Sequence, residues 1–301
     1  MKFISIIVCT YNRQKYLAEV LESIKNQSSA KDLYETIVIN NNSTDNTLKV
    51  CEQFKTENPE LNFRFFTETK QGLSHAKNRG IEEAKGDFIV FVDDDAFVNE
   101  QYIEKISIFI NSVPEVKVIG GKIIPVYEEK PNWISPYLEP IFGKLDMGES
   151  ITLFTGKNFP FGGNSGAAKD VFEKFGNFNP ELGRKGDKML ASEEKDFYAR
   201  IKSAKIKMYY LPDMILYHHA PKERTTPEFI KKQAIGIGQS EKFRAKQIGI
   251  LNLGKSHFTE MLKWIATFGI STIYLFSGKI EKAKMLLKFR FWVSKGIFGR
   301  K

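Results

Sequence analysis

Three consecutive aspartates, Asp93-Asp94-Asp95, follow directly on the apolar run Phe88-Ile89-Val90-Phe91-Val92. Like charges this close are unfavourable unless a cation compensates them. At the end of a buried strand they suit a hard divalent ion, Mg²⁺ or Mn²⁺, which takes one or two carboxylates and fills its shell with diphosphate oxygens and water. A solvated acidic turn is the plainer alternative. A second acidic group, Glu193-Glu194-Lys195-Asp196, opens a stretch that Ser192 can cap as a helix running through Ser203. By themselves these acids favour the positive end of the helix macrodipole. His218 and His219 end an apolar segment and point to opposite faces of a strand, so at most one of them reaches a site. There is no Gly-x-Gly-x-x-Gly after the first apolar run and no Walker loop, so phosphates fall to the metal and to Arg13, Lys77 or Arg79. That arrangement suits a nucleotide diphosphate leaving group.

These residues need elements to position them. Residues 3 to 10 form an apolar run, and Leu17, Val20, Leu21 and Ile24 mark a helix over 15 to 27. Thr36-Ile37-Val38-Ile39 ends in Asn40-Asn41-Asn42-Ser43-Thr44-Asp45, which caps a helix through Phe54. A strand is expected at 63 to 67, a helix from Gly72 through Ala84, and the strand of 88 to 92 follows. Strands alternating with helices predict right-handed crossovers and a parallel sheet buried on both faces. Ligands of such sheets bind beyond the strands' carboxyl ends. Those ends are Thr10-Tyr11-Asn12-Arg13, Asn40-Asn41-Asn42-Ser43 and Asp93-Asp94-Asp95.

The second half is less regular. Residues 123 to 161 carry five prolines and read as loops and short strands, and Phe161 to Ala168 reads as a tight, close-approach segment. A short helix is expected from Asp170, with strands at 207 to 211 and 214 to 218. Trp133, in the Pro-rich stretch, suits core or loop packing. After Pro227 the pattern is helical, with breaks near Gly254 and Gly278.

The 301 residues are 42% apolar and 27% charged, as in a globular chain of one large domain or a domain with an appendage. Two cysteines, Cys9 and Cys51, make no disulfide framework and no zinc site, which fits a reduced, cytoplasmic protein. The apolar start lacks a cleavage site and reads as a buried strand, not a secretory signal. No stretch has the length of a membrane span; residues 264 to 278 come nearest. The net charge of +9 is uneven: residues 255 to 301 hold ten Lys/Arg against Glu260 and Glu281, leaving +1 for the rest. In that tail Lys284, Lys288 and Lys295 recur beside Ile280, Ala283, Leu287 and Phe291, a basic amphipathic helix suited to an anionic membrane or packed on the domain with its lysines in water.

The chain resembles the family 2 inverting glycosyltransferases, of the bacterial cell-surface polysaccharide type. The resemblance is carried by Ser5-Ile6-Ile7-Val8-Cys9-Thr10-Tyr11-Asn12-Arg13, the 40 to 47 segment, Gly72-Leu73-Ser74-His75-Ala76-Lys77-Asn78-Arg79-Gly80, Asp93 to Asp95 and Ser192 to Asp196, and spans residues 3 to 245 in order. It implies the GT-A fold: a mostly parallel central sheet flanked by helices, with a C-terminal helical extension. It implies that Thr10, Tyr11, Asn12 and Arg13 line a nucleotide pocket, that Lys77, where the family usually has arginine, contacts base or phosphate, and that Asp93 and Asp94 bind donor. Asp93 and Asp95 would hold the metal, Asp95 directly, and His218 matches a histidine that helps hold metal or diphosphate. Asn40 stands where an aspartate usually reads the uracil edge, and offers a carbonyl acceptor or a simple turn. The family's later motif usually reads Glu-Asp-x-Asp and its second acid is commonly the general base. Here that acid is Glu194, with Glu193 and Asp196 beside it.

The expectation is therefore an enzyme with a catalytic domain over 1 to 250, divided into a nucleotide and metal half (1 to 122) and an acceptor and base half (123 to 250), and a basic helical tail over 251 to 301. It would transfer a hexose or N-acetylhexosamine from a nucleotide diphosphate donor, a UDP-sugar first, to a hydroxyl of a glycan or lipid-linked glycan, with Mn²⁺ or Mg²⁺ as cofactor. It would be cytoplasmic, with peripheral contact at the inner face of the membrane through its tail, and nucleic acid is not an expected partner. Two rivals stand beside it: a nucleotidyltransferase of the same fold, which would show a Gly-rich basic loop after the first strand, and an inactive membrane- or nucleic-acid-binding adaptor.

Overall fold

The computed structural model describes residues 1–184 and 192–299. Its first half contains β1 (Ile4–Thr10), α1 (Gln14–Lys25), β2 (Tyr34–Asn40), α2 (Thr47–Glu57), β3 (Phe63–Thr67), α3 (Leu73–Glu83), β4 (Phe88–Asp93), β5 (Ala96–Val98) and α4 (Tyr102–Ser112). There follow β6 (Val118–Tyr127), β7 (Thr152–Leu153), β8 (Asn164–Ala168), α5 (Lys169–Phe175), α6 (Glu193–Ser203), β9 (Met208–Ala220), α7 (Pro227–Ile248), α8 (Ile250–Phe276) and α9 (Ile280–Phe298). The strands make one sheet in the order β3-β2-β1-β4-β8-β6-β9-β5, with β7 beside β9.

The four strands from β3 to β4 are parallel. Their central members are buried along almost their whole length, as continuous apolar strands covered on both faces must be. Helix α1 closes one crossover with Leu17, Val20, Leu21 and Ile24 inward. Beyond β4 the pairing becomes antiparallel: β8 is antiparallel to β4 and β6, and β5 and β7 are antiparallel to β9. The sheet is thus mixed, and its parallel half is the part that carries the polar strand ends.

Several local expectations are adjusted by tertiary contacts. The tight segment at 161 to 168 ends in a fully buried strand, β8, whose small residues are required because a Cβ on Gly166 would lie 2.9 Å from the Ile89 carbonyl of β4. The two strands expected at 207 to 211 and 214 to 218 are one, β9, continuing through Pro212. The break expected near Gly254 occurs at Gly249, which has φ of 134° and separates α7 from α8, and Gly254 is inside α8; the break at Gly278 (φ 70°) is found.

The chain forms two compact units, each assembled from separated segments: Met1–Ile124, Lys144–Glu181 and Glu193–His218 in the first, Pro125–Gly143, Leu182–Ser192 and His219–Lys301 in the second. The first has a core of strand and helix residues such as Ile7, Val38, Val90, Ile106 and Phe197. The second packs Ile134, Leu138 and Phe142 with Ile230, Leu286, Phe289 and Val293, and Trp133 joins that core. Within it α7 and α9 approach to backbone contact: a Cβ on Gly238 would lie 2.1 Å from the Val293 carbonyl, and one on Gly296 would lie 2.3 Å from that of Ile235. No helix among the described residues is long and apolar enough to cross a membrane.

Candidate active site

The site lies in the first unit, at the carboxyl ends of its parallel strands. After β1 the chain turns through Asn12, whose φ is 53°, and after β2 through Asn42, whose φ is 62°; Asn tolerates this left-handed region better than most residues. The two turns are tied together. Asn12 Oδ1 accepts from the Thr44 N–H at 2.7 Å, the Asn12 N–H donates to Ser43 Oγ at 2.9 Å, and the Gln14 N–H donates to Asp45 at 3.1 Å. Asn40 is buried, and its Oδ1 accepts from the Ser43 N–H at 3.0 Å, which is the turn-forming use of that side chain. Asn41, which the sequence does not single out, holds the approach to α3. Its amide donates to the Glu68 and Lys70 carbonyls at 3.0 and 2.8 Å and its Oδ1 accepts from the Gly72 N–H at 2.8 Å. Thr10 is buried at the end of β1, while Tyr11 is 44% exposed at the rim.

Asp93 ends β4 and Asp94 and Asp95 follow it, and β9 brings a histidine to them because His218 pairs across the antiparallel ladder with Ala96, next to Asp95. His218 Nε2 lies 3.2 Å from Asp95 Oδ1 and 4.0 Å from Asp93 Oδ2. One ligand atom from each of Asp93, Asp95 and His218 falls within 4.8 Å of the others. Two carboxylates and an imidazole converging in this way fit a divalent cation of the Mn²⁺ or Mg²⁺ kind, with room in the donor set for phosphate oxygens. Arg13 stands 3.8 Å from Asp95 Oδ2. Asp94 shows the cost of the crowding: burial and then the Asp95 charge push its carboxyl up to about 7, against the pull of Arg13. Asp93 is raised for the same two reasons, with His218 and Lys77 opposing.

A second pair of acids arrives on the first turn of α6. Lys77, almost fully buried on α3, places its ammonium 2.6 Å from Glu194 Oε1 and 3.7 Å from Glu193 Oε1, and over the rings of Phe91 and Phe178 at 5.7 and 5.1 Å. Burial disfavours this ammonium, yet Glu194 and Glu193 outweigh burial and raise its pKa above the ordinary lysine value. Lys77 is thus engaged by the acids of α6. The other oxygen of Glu194 accepts from the Gly162 N–H at 2.9 Å.

Gly162 and Gly163 are the residues whose role the sequence does not reveal. A Cβ on Gly162 would sit 1.6 Å from Glu194 Oε1, and one on Gly163 would sit 1.9 Å from Asp93 Oδ2. Close approach is used here by two carboxylates reaching the backbone. Asn164 beyond them is structural, accepting from the Tyr102 hydroxyl at 2.6 Å and donating to the Lys122 and Met214 carbonyls.

Two residues are not drawn into this group. Asp196 pairs with Arg200 one turn along α6 at 3.1 Å, and Arg200 in turn donates to the carbonyls of Phe175, Gly176 and Asn177 after α5. Arg79 pairs with Glu83 at 2.7 Å and lies over the Phe66 ring.

An Asp-Asp-His cluster at the carboxyl end of a parallel strand, with a lysine-held glutamate in the same unit, is the arrangement expected of the GT-A class of sugar transferases. Residues 5–176, more than half of the chain, match the model of glycosyl transferase family 2, and the chain belongs to that family. Among curated relatives, a dolichyl N-acetyl-alpha-D-glucosaminyl phosphate 3-beta-D-2,3-diacetamido-2,3-dideoxy-beta-D-glucuronosyltransferase of Methanococcus voltae is 25% identical over 299 residues, 96% of this chain and 89% of that protein. Among solved structures, the mannosyltransferase PcManGT from Pyrobaculum calidifontis, in complex with GDP-Man and Mn²⁺, superposes with a TM-score of 0.68 at 16% identity, covering 100% of this chain and 88% of that one. TarS 1-349 of S. aureus in complex with UDP gives a TM-score of 0.58 at 18% identity over 99% of this chain and 92% of that one. At these identities the likeness shows the fold, which is the one expected.

Proposed function

We propose that the enzyme is an inverting glycosyltransferase that moves a sugar from a nucleotide diphosphate donor, a UDP-sugar, to a hydroxyl of a glycan or lipid-linked glycan in cell-surface polysaccharide synthesis. The observation that carries this reading is the seating of Glu194 and Asp93 against the consecutive residues Gly162 and Gly163. Neighbouring Cα atoms are about 3.8 Å apart, so a proton acceptor and a metal-holding carboxylate share one small site.

In this reading Glu194 takes the proton of the acceptor hydroxyl while that oxygen bonds to the anomeric carbon, and the bond from that carbon to the diphosphate breaks on the opposite face. Lys77 and the Gly162 N–H fix the two oxygens of Glu194 so that the carboxylate is already oriented. Glu193, beside it on Lys77, is the alternative base. Asp93, Asp95 and His218 would hold Mn²⁺ or Mg²⁺, whose contribution is to neutralise the charge of the leaving diphosphate. Arg13 is the cation at that rim, with Asp94 near it and Thr10, Tyr11 and Asn12 on the adjoining turn. The complexes of PcManGT with GDP-Man and Mn²⁺ and of TarS with UDP support this donor class, and the Methanococcus relative, named for a dolichyl-phosphate substrate, supports a lipid-linked acceptor.

Calorimetric titration with UDP, GDP, dTDP and CMP, each with Mn²⁺ and again with chelator, tests the proposal. Binding of UDP that requires Mn²⁺ and disappears in Asp95→Ala is expected. Metal-dependent binding of GDP or dTDP instead would keep the transferase and replace the base, whereas no binding of any of the four would leave the aspartates as a solvated turn.

A further inference from the structure

Helix α8 is inside out. Its enclosed side carries Ser256, Glu260, Thr267 and Ser271, none more than 9% exposed, at spacings of four, seven and four residues that keep them on one face. Its outer side carries Phe258, Leu262, Ile265, Phe268, Ile273 and Phe276, between 48% and 91% exposed. A helix on the surface of a water-soluble protein normally has the reverse pattern.

Two of the inward polar groups, Glu260 and Thr267, have partners, whereas the buried hydroxyls of Ser256 and Ser271 have none among the described residues. Glu260 accepts from Arg290 at 3.1 Å and from Ser294 Oγ at 2.8 Å, both on α9, and Thr267 Oγ1 donates to the Lys263 carbonyl at 2.7 Å. Trp264 Nε1 donates to Ser294 Oγ at 2.8 Å. Nothing in the second unit's core calls for the outward apolar residues, and a contiguous exposed apolar face is the mark of an interaction surface.

Charge decides what meets that face. The sole carboxylate in the sequence of α8, Glu260, is 1% exposed, while Lys255 and Lys263 lie at the surface, and Lys279 and Lys282 follow at the turn into α9. An apolar helix face that is bordered by cations and whose own carboxylate is buried complements an anionic bilayer; Glu281, exposed in the first turn of α9, is paired with Lys284 at 2.9 Å. Pairing with a second copy would bring the same lysines together. At 27 residues α8 is about 40 Å long, yet it does not qualify to cross a membrane, so its geometry is that of a helix lying along the interface. Helix α9, where the sequence pattern points first, shares less in this surface: Ile280 and Phe291 of the expected stripe are exposed, but Ala283 is buried along with Leu286, Phe289 and Val293.

We infer that α8 docks the chain on an anionic phospholipid bilayer, lying flat with Leu262, Ile265, Phe268 and Phe276 at the acyl boundary and Lys255, Lys263, Lys279 and Lys282 at the lipid phosphates. The inference does not depend on the transfer reaction, and its test reads no activity. The full chain is floated with phosphatidylcholine vesicles and with vesicles containing phosphatidylglycerol. Flotation with the anionic vesicles is expected, and Ile265→Ser with Phe268→Ser should abolish it while circular dichroism and UDP binding stay as in the parent. Lys263→Glu with Lys279→Glu should lower the partition coefficient at least about 25-fold, since one lysine near such a surface contributes about fivefold. Absence of flotation with either vesicle, or flotation that the serine variant retains, would overturn the assignment. A dimer that the serine substitutions dissolve, without vesicle binding, would give the face to a second copy.

Discussion

Gly162 and Gly163 decide where Glu194 and Asp93 stand. In each case the atom that an added Cβ would strike is the end of a side chain, so a methyl group displaces the carboxylate and leaves the backbone before β8 where it is. Gly162→Ala is therefore expected to melt within a few degrees of the parent and to lose at least about tenfold in transfer, because the proton acceptor is moved from its place. Glu194→Gln keeps the size of the side chain and should bind donor nearly as before while turnover falls by about 10² to 10⁴. A fully active Glu194→Gln enzyme would move the role to Glu193. The residue types at this site are legible in the sequence: acids directly after an apolar run and acids opening a helix are visible without a structure. Their partners are not, since Lys77 meets Glu194 across 117 residues and Gly162 meets it across 32. Lys77 looks like a nucleotide contact by its place in a motif, and only packing shows that two glutamates and two rings take it up.

Among the elements, what the sequence discloses depends on whether a segment's own composition determines its state. The runs of β1, β2 and β4 are continuously apolar, and each is found within one or two residues of its expected span. The strand β8 lies next to β4, yet Asn164-Ser165-Gly166-Ala167-Ala168 has no β-branched or aromatic residue, because its neighbours leave room only for small ones. Gly254 and Gly249 look alike in sequence, but only Gly249 has the backbone angle that ends a helix. The same distinction gives a paired prediction about stability. Gly238→Ala would set a Cβ 2.1 Å from the Val293 carbonyl, and backbone cannot yield as a side chain does, so α7 and α9 must part at a loss of about 1–3 kcal/mol. Gly254→Ala meets nothing within 4 Å and should raise stability by up to about 1 kcal/mol through helix propensity. Urea denaturation of the two variants should show midpoints moving in opposite directions, and a Gly238→Ala midpoint at or above the parent's would mean that the crossing is looser than its geometry.

Over the whole molecule the charge and the chemistry are separated: the first 254 residues are close to neutral, and most of the net +9 belongs to the C-terminal helices. The candidate metal ligands and the thiols, by contrast, both belong to the first unit, which holds the Asp93, Asp95 and His218 cluster and both cysteines. Burial pushes the thiols of Cys9 and Cys51 up to about 12. At pH 8 the thiolate is then about one part in 10⁴, and alkylation of Cys51, which is fully buried where Cys9 is only partly so, must wait for the first unit to open. Opening separates β4 from β9 and with them the three metal ligands, so bound Mn²⁺ opposes it by mass action. At a hundredfold excess over the dissociation constant the effect is about 2.7 kcal/mol, and alkylation of Cys51 in the native chain should slow about a hundredfold when Mn²⁺ is added. Chelator should restore the original rate, and Asp95→Ala should be insensitive to the metal throughout. Equal rates with and without Mn²⁺ in the parent would take the metal away from this cluster, whatever the transfer assay shows, because thiol exposure registers binding at the site without requiring a donor, an acceptor or turnover.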